Sequence, residues 1–184
     1  MRICVFCGSS AGRSPAYRDA AAALGKLLAA QGIGLVYGGA SRGLMGELAN
    51  AALAEGCEVI GVIPDAVVAL EVAHRGLADL RIVRTMHERK ALMADLSDAF
   101  IAIPGGHGTL DELFEIYTWQ SLGIHNKPIG LWNVEGFFDP LLAMEDHLVA
   151  EGFVSASIRA KLIVERSAET LVSTLRAAAK GGAG

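Results

Sequence analysis

The residues best suited to chemistry lie in one run, Pro104-Gly105-Gly106-His107-Gly108-Thr109-Leu110-Asp111-Glu112, directly after the apolar stretch Ala99–Ile103. Glycines at a strand end let backbone N–H groups approach a phosphate closely, and the dipole of a helix starting there favours the negative charge. A carboxylate one helical turn on, Glu112, suits the oxocarbenium-like state of a glycosidic bond being cleaved, which it can stabilise while positioning or deprotonating water. Glu71 is a second acid of the right type. Two plain readings stand beside these: Thr109-x-x-Glu112 also fits a capping box, in which the glutamate satisfies a free backbone N–H, and Glu71 fits a solvated loop acid. A second constellation, Met86-His87-Glu88-Arg89-Lys90, opens a helix after a strand and sets two cations near its first turns, where they oppose the helix dipole. An anionic partner accounts for that choice, and so does a solvated charged face.

Two further glycine-rich loops follow apolar runs, Gly8-Ser9-Ser10-Ala11-Gly12 and Gly38-Gly39-Ala40-Ser41-Arg42-Gly43. One such loop is as readily a tight turn as a phosphate cradle. Three at successive strand ends point to phosphate and make Gly8, Ser9, Gly38 and Gly39 candidate phosphate contacts. The spacing after the first strand is G-x-x-x-G rather than the dinucleotide G-x-G-x-x-G, and the P-loop G-x-x-x-x-G-K-[ST] does not occur. The histidines at 74, 87, 125 and 147 match no zinc spacing, so no catalytic metal is expected. Cys4 and Cys7 spell C-x-x-C inside an apolar run rather than at a helix start, which predicts packing and not redox work. Trp119 and Trp132 are likewise expected in the core.

These loops need a scaffold that presents strand ends to helix starts. Arg2–Cys7, Gly34–Tyr37, Glu58–Ile63, Arg81–Val83, Ala99–Ile103, Ile129–Leu131 and Leu162–Val164 read as strands, most of them apolar on both faces. Helices are expected at Pro15–Ala30, Leu44–Ala54, Met86–Leu96, Leu110–Leu122, Pro140–Ala150 and Ala168–Ala179, with Thr85-x-x-Glu88 as a second capping box. Fully apolar strands joined by helix-length connections predict a Rossmann-like, doubly wound parallel α/β sheet with helices on both faces. The 184 residues suit a single domain over 1–180, with a frayed tail at 181–184. A net charge of −4 gives no footprint for nucleic acid, no apolar stretch is long enough for a membrane span, and residues 1–7 lack the pattern of a secretory signal. A cytoplasmic location and a small-molecule partner are therefore expected.

Taken together, the motifs resemble the LOG family, the cytokinin riboside 5′-monophosphate phosphoribohydrolases often mislabelled lysine decarboxylases. The matching residues are Tyr37-Gly38-Gly39 with Gly43-Leu44-Met45-Gly46, then Met86–Lys90, then Pro104-Gly105-Gly106-x-Gly108-Thr109-x-x-Glu112, and Thr118-Trp119 with Leu122-Gly123-Ile124-His125. The resemblance implies that Arg89 and Glu112 form the catalytic pair. It also implies that Glu71, Lys90, Gly106, His107, Gly108, Thr109, Leu110, Asp111 and Thr118 line a pocket for AMP or an N6-substituted AMP, and that the protein is a homodimer. This chain departs from the family at His107, where tyrosine is common, and at Gln120-Ser121, where Ala-Gln is common. A decarboxylase would need pyridoxal phosphate on a Schiff-base lysine, and nothing else in the chain supports such a site, so no cofactor is expected. The alternative of another class is a non-catalytic module of the same fold that holds a nucleotide or a phosphate-bearing cofactor.

Overall fold

The computed structural model describes residues 1–68 and 72–181. Its strands are β1 (Arg2–Phe6), β2 (Gly34–Tyr37), β3 (Val59–Pro64), β4 (Asp79–Val83), β5 (Ala99–Ala102), β6 (Ile129–Trp132) and β7 (Leu162–Glu165). They form one sheet in the order β4-β3-β2-β1-β5-β6-β7 with every neighbouring pair parallel. The connecting helices are α1 (Pro15–Ala30), α2 (Gly43–Ala54), α3 (Met86–Asp95), α4 (His107–Ser121), α5 (Asp139–Ala150), the short α6 (Ala156–Arg159) and α7 (Ala168–Gly181). This is the expected doubly wound architecture.

The apolar strands make sense once both faces are covered. Ile3, Val5 and Cys7 point into a core shared with Leu24 and Leu28 of α1, Leu48 of α2 and Leu171 of α7. Their alternates Cys4 and Phe6 point into a second core with Met93 of α3 and Leu113 and Ile116 of α4. Each fully buried leucine or isoleucine contributes roughly 1.5–3 kcal/mol, so both faces of β1 favour the central position it occupies. Connections from β1 run towards β4, while those from β5 run towards β7, so the loops after β1 and β5 diverge and leave a crevice at the carboxyl edge.

Three local expectations are corrected. α4 begins at His107, not Leu110, because Gly106 serves as its N-cap and Gly108 is taken into the first turn. Thr109 is therefore inside the helix and buried, and the Thr109–Glu112 capping box does not form. Gly181 ends α7 rather than beginning a tail, and residues 182–184 lie outside the described residues. α6, capped by Ser155 Oγ accepting from the Ile158 N–H, is too short to show a helical period in sequence. Among the described residues, no helix is long and apolar enough to cross a membrane.

Candidate functional site

The crevice is organised by Gly8. Its N–H donates to Pro104 O at 3.1 Å, and its carbonyl accepts from the Leu44 and Met45 N–H groups at 3.0 and 3.3 Å, so one residue ties together all three glycine-rich loops. The same contact decides which helix start is available to a ligand. The α2 start is occupied by the Gly8 carbonyl, whereas no side chain caps α4, whose first N–H groups lack intrahelical partners by construction. A cavity of about 140 Å³ opens at the α4 start, lined by Cys7, Gly8 and Ser9, Met45, Arg89, Gly106–Thr109 and Glu112.

Arg89 and Glu112 meet inside it. Arg89 sits on the first turns of α3, whose start is fixed by Thr85 Oγ1 accepting from the Glu88 N–H at 3.1 Å and by Glu88 accepting from the Arg84 N–H at 2.9 Å. From there the guanidinium reaches across the sheet edge: Nε donates to Val62 O at 3.0 Å, and Nη2 donates to Gly38 O at 3.1 Å. Nη2 also lies 3.7 Å from Glu112 Oε1, with both side chains about nine-tenths buried. At that range the two buried side chains form an ion pair across the cavity. The reading of Glu112 as a helix cap is thereby replaced: its carboxylate lies in the cavity beside a cation.

The remaining predicted residues divide sharply. His107, Gly108, Thr109, Gly106, Gly8 and Ser9 line the cavity with the pair. Gly106 and Gly108 have open space where a Cβ would stand, so the surrounding protein does not require glycine there. Gly38 and Gly39, expected as phosphate contacts, are buried and do not line this cavity. A Cβ on Gly38 would collide with Arg89 Nη2 and come within 2.8 Å of Met45 Sδ. Lys90 is absent from the cavity wall and bridges Asp111 Oδ2 and Glu115 Oε1, both at 3.1 Å, pinning α3 to α4. Leu110 and Asp111 lie on α4 but do not line this cavity, and Thr118 is exposed eleven residues past His107, about 16 Å along the helix axis. Glu71 lies outside the described residues.

Two lining residues were missed as site residues. Cys7 was read as packing, and it is buried with its thiol pushed up by desolvation, reinforced by the Glu112 charge. Its place at the end of β1 was the available signal. Met45 lies two residues past the second glycine loop, in the Gly43–Gly46 motif. A neighbouring cavity of about 260 Å³ shares Gly8, Ser9 and Gly106 but is walled by Tyr17, Leu44 and Phe137. A larger cavity of about 420 Å³ opens at the opposite sheet edge around the solvated Arg2–Glu58 pair, and none of the glycine loops reaches it.

Chemically, a buried carboxylate oriented by a guanidinium, next to free helix-start N–H groups, matches an anionic ligand with an electrophilic carbon near Glu112. Among the described residues no cluster of three or more metal-ligating side chains occurs.

The model of the family described as "Possible lysine decarboxylase" matches residues 45–175. A rice (Oryza sativa subsp. japonica) protein named probable cytokinin riboside 5′-monophosphate phosphoribohydrolase LOGL1 is 53% identical over 171 residues, covering 93% of this chain and 77% of that protein. The Rhodococcoides fascians cytokinin riboside 5′-monophosphate phosphoribohydrolase is 48% identical over 175 residues, covering 95% and 88% respectively. Among solved structures, the molybdenum cofactor binding protein of Rippkaea orientalis superposes with a TM-score of 0.73 at 23% identity, covering 96% of this chain and 95% of that one, which is a likeness of fold. By sequence, motifs and fold, this chain belongs to the family of the cytokinin riboside 5′-monophosphate phosphoribohydrolases.

Proposed function

We propose that this protein hydrolyses the N-glycosidic bond of a nucleoside 5′-monophosphate, AMP or an N6-substituted AMP, to the free base and ribose 5-phosphate. The observation that carries this reading is the buried Arg89–Glu112 pair beside the uncapped start of α4. The phosphate binds the α4 N–H groups with Gly8 and Ser9, which places the ribose over Glu112. As the bond from C1′ to the base nitrogen breaks, the electron pair leaves with the base and positive charge develops on the sugar. Glu112 stabilises that charge and takes a proton from the water that adds to C1′; it gives that proton up to solvent as the departing base takes one from solvent, so that one water is consumed and the carboxylate is restored. Arg89, fixed by two backbone carbonyls, aims the carboxylate.

The protein acts as a homodimer in this reading. Phe114, Leu122 and Ile124 expose apolar surface on and just beyond α4, on the side that also carries Thr118. A twofold pairing of α4 faces brings Thr118, which does not line the cavity of its own chain, towards that of the partner subunit. Cytoplasmic residence completes the proposal.

The test is incubation with AMP followed by chromatography for adenine, with Glu112→Gln as control. Adenine release that disappears in the variant supports hydrolysis; nucleotide binding without release would favour a non-catalytic carrier. Light scattering checks the dimer, since a mass of 19.2 kDa at micromolar concentration would contradict it.

A further inference from the structure

Both cations of the Arg89-Lys90 motif are already engaged by the protein. Arg89 is divided among Val62 O, Gly38 O and Glu112, and Lys90 is bridged to Asp111 and Glu115. Arg89 and Glu112 nearly cancel within the cavity, whereas a 5′-phosphate brings a charge of about −1.5 to −2 at pH 7. His107 lies at the first position of α4, exposed on the cavity wall, and among the described residues no hydrogen bond holds its ring. The other titratable or charged groups on that wall are Cys7 from the end of β1, Arg89 from α3 and Glu112 from α4; α2 contributes the uncharged Met45. An imidazole titrates near pH 6.5, within reach of the second ionisation of a phosphate monoester.

We propose that His107, as imidazolium, contacts the phosphate of the substrate, so that this site binds phosphorylated ribosides more tightly on the acid side of neutrality. The proposal rests on the assigned phosphate position and adds a specificity-determining residue to it. A charge-assisted hydrogen bond joins the ring to the phosphate, and by linkage the bound phosphate raises the His107 pKa. The sign follows: a group whose bound-state pKa is raised favours binding below that value, and the advantage is lost as pH climbs through it. A rise of about one unit corresponds to a tenfold limit in affinity, and to roughly sixfold between pH 6 and pH 8.

Ribose 5-phosphate, a product of the proposed reaction, is the probe because its binding can be read without turnover. Calorimetry at pH 6 and pH 8 compares wild type, His107→Gln and His107→Lys, and the titration of the His107 ring is followed by NMR with and without ribose 5-phosphate. Ionisation of the probe is common to all three proteins, so the ratio of wild type to variant isolates the side chain. The expected result is a wild-type affinity gain at pH 6 about sixfold beyond that of His107→Gln. His107→Lys should lack that extra pH dependence and bind more tightly than His107→Gln at pH 8. The His107 pKa should rise by about one unit on saturation. A pH profile shared by wild type and His107→Gln, or a ring whose titration ignores ribose 5-phosphate, overturns the proposal. Failure of ribose 5-phosphate to bind overturns it together with the phosphate site. Adenine release from AMP at pH 8 is scored separately: release combined with a silent His107 removes this inference alone, and absence of release removes the hydrolase reading.

Discussion

Two glycine-rich loops end parallel strands and lead into helices, yet they do opposite things. In Gly38–Gly43 the missing side chains make room for protein: Gly38 for the Arg89 guanidinium and Gly43 for the Ser9 backbone, while the Gly8 carbonyl occupies the helix start beyond. In Gly105–Gly108 only Gly105 is crowded, by Thr109 and Gly8, whereas Gly106 and Gly108 face open space and the helix start is uncapped. The first loop seats the Arg89 guanidinium, and the second leaves a helix start open, which in the proposed function receives the ligand. Glycine content alone does not separate these roles; what a Cβ would meet at each position does.

The largest expected effect tests what the second loop leads to. Glu112→Gln keeps the shape but removes the charge and the base, and steady-state assays should show kcat lowered by about 10²–10⁴-fold with the thermal unfolding curve retained. Normal kcat would reduce Glu112 to a buried partner of Arg89. Arg89→Lys should come close in severity, because a lysine cannot reach Val62 O, Gly38 O and the carboxylate with one rigid fork.

Alanine substitutions sharpen the comparison directly. Gly38→Ala drives a methyl group into the guanidinium and Met45, an overpacking that costs about 1–3 kcal/mol and moves Arg89; Tm and kcat should both fall. Gly106→Ala meets no protein atom, so Tm should stay within a degree or two while KM for AMP rises about tenfold. If the two variants behave alike in both calorimetry and kinetics, the division between packing glycines and ligand glycines fails.

The smallest effect contrasts two buried glutamates. Glu145 on α5 is as hidden as Glu112, but its Oε2 has no hydrogen-bond partner among the described residues. Burial raises its pKa, opposed by Arg159 and assisted by Asp146. The folded protein therefore holds this proton to higher pH than the unfolded chain does. That contribution to stability is present below the ordinary glutamate value near 4.5 and is lost as pH rises through the raised one. Glu145→Gln should accordingly raise Tm by about 2 °C at pH 8, with the gain shrinking towards pH 4. A lower Tm at pH 8 would mean that the ionised group is stabilising where it stands.

The sheet was legible in the sequence because both faces of each inner strand are covered, so runs such as Gly34–Tyr37 and Ala99–Ala102 are apolar throughout and their ends stand out. The α4 start was not, because Pro104-Gly105-Gly106-His107-Gly108 carries the residues that usually end helices, and only the tertiary contact of Gly8 with Pro104 fixes where the turn begins. The pairing of Arg89 with Glu112 was implied by motif resemblance alone; the structure adds the Gly38 carbonyl that holds the guanidinium, at a glycine expected as a phosphate contact. Lys90 shows the same limit. Its partners Asp111 and Glu115 stand one turn apart on α4, but nothing along the chain reveals that α3 lies against that face. Long-range packing assigned these roles, and local pattern carries no record of it.

The central claim is that a phosphate seated at the α4 start places the glycosidic carbon over Glu112. Its most direct test compares adenine release from AMP and from adenosine at equal concentration under steady-state conditions. Removing the phosphate removes the anchor that orients the reacting bond, so kcat/KM for AMP should exceed that for adenosine by about 100-fold or more, with kcat contributing as well as KM. Comparable values for the two substrates would contradict the account, because the open glycine loop would then be an ordinary turn and the ribose would be held by something else.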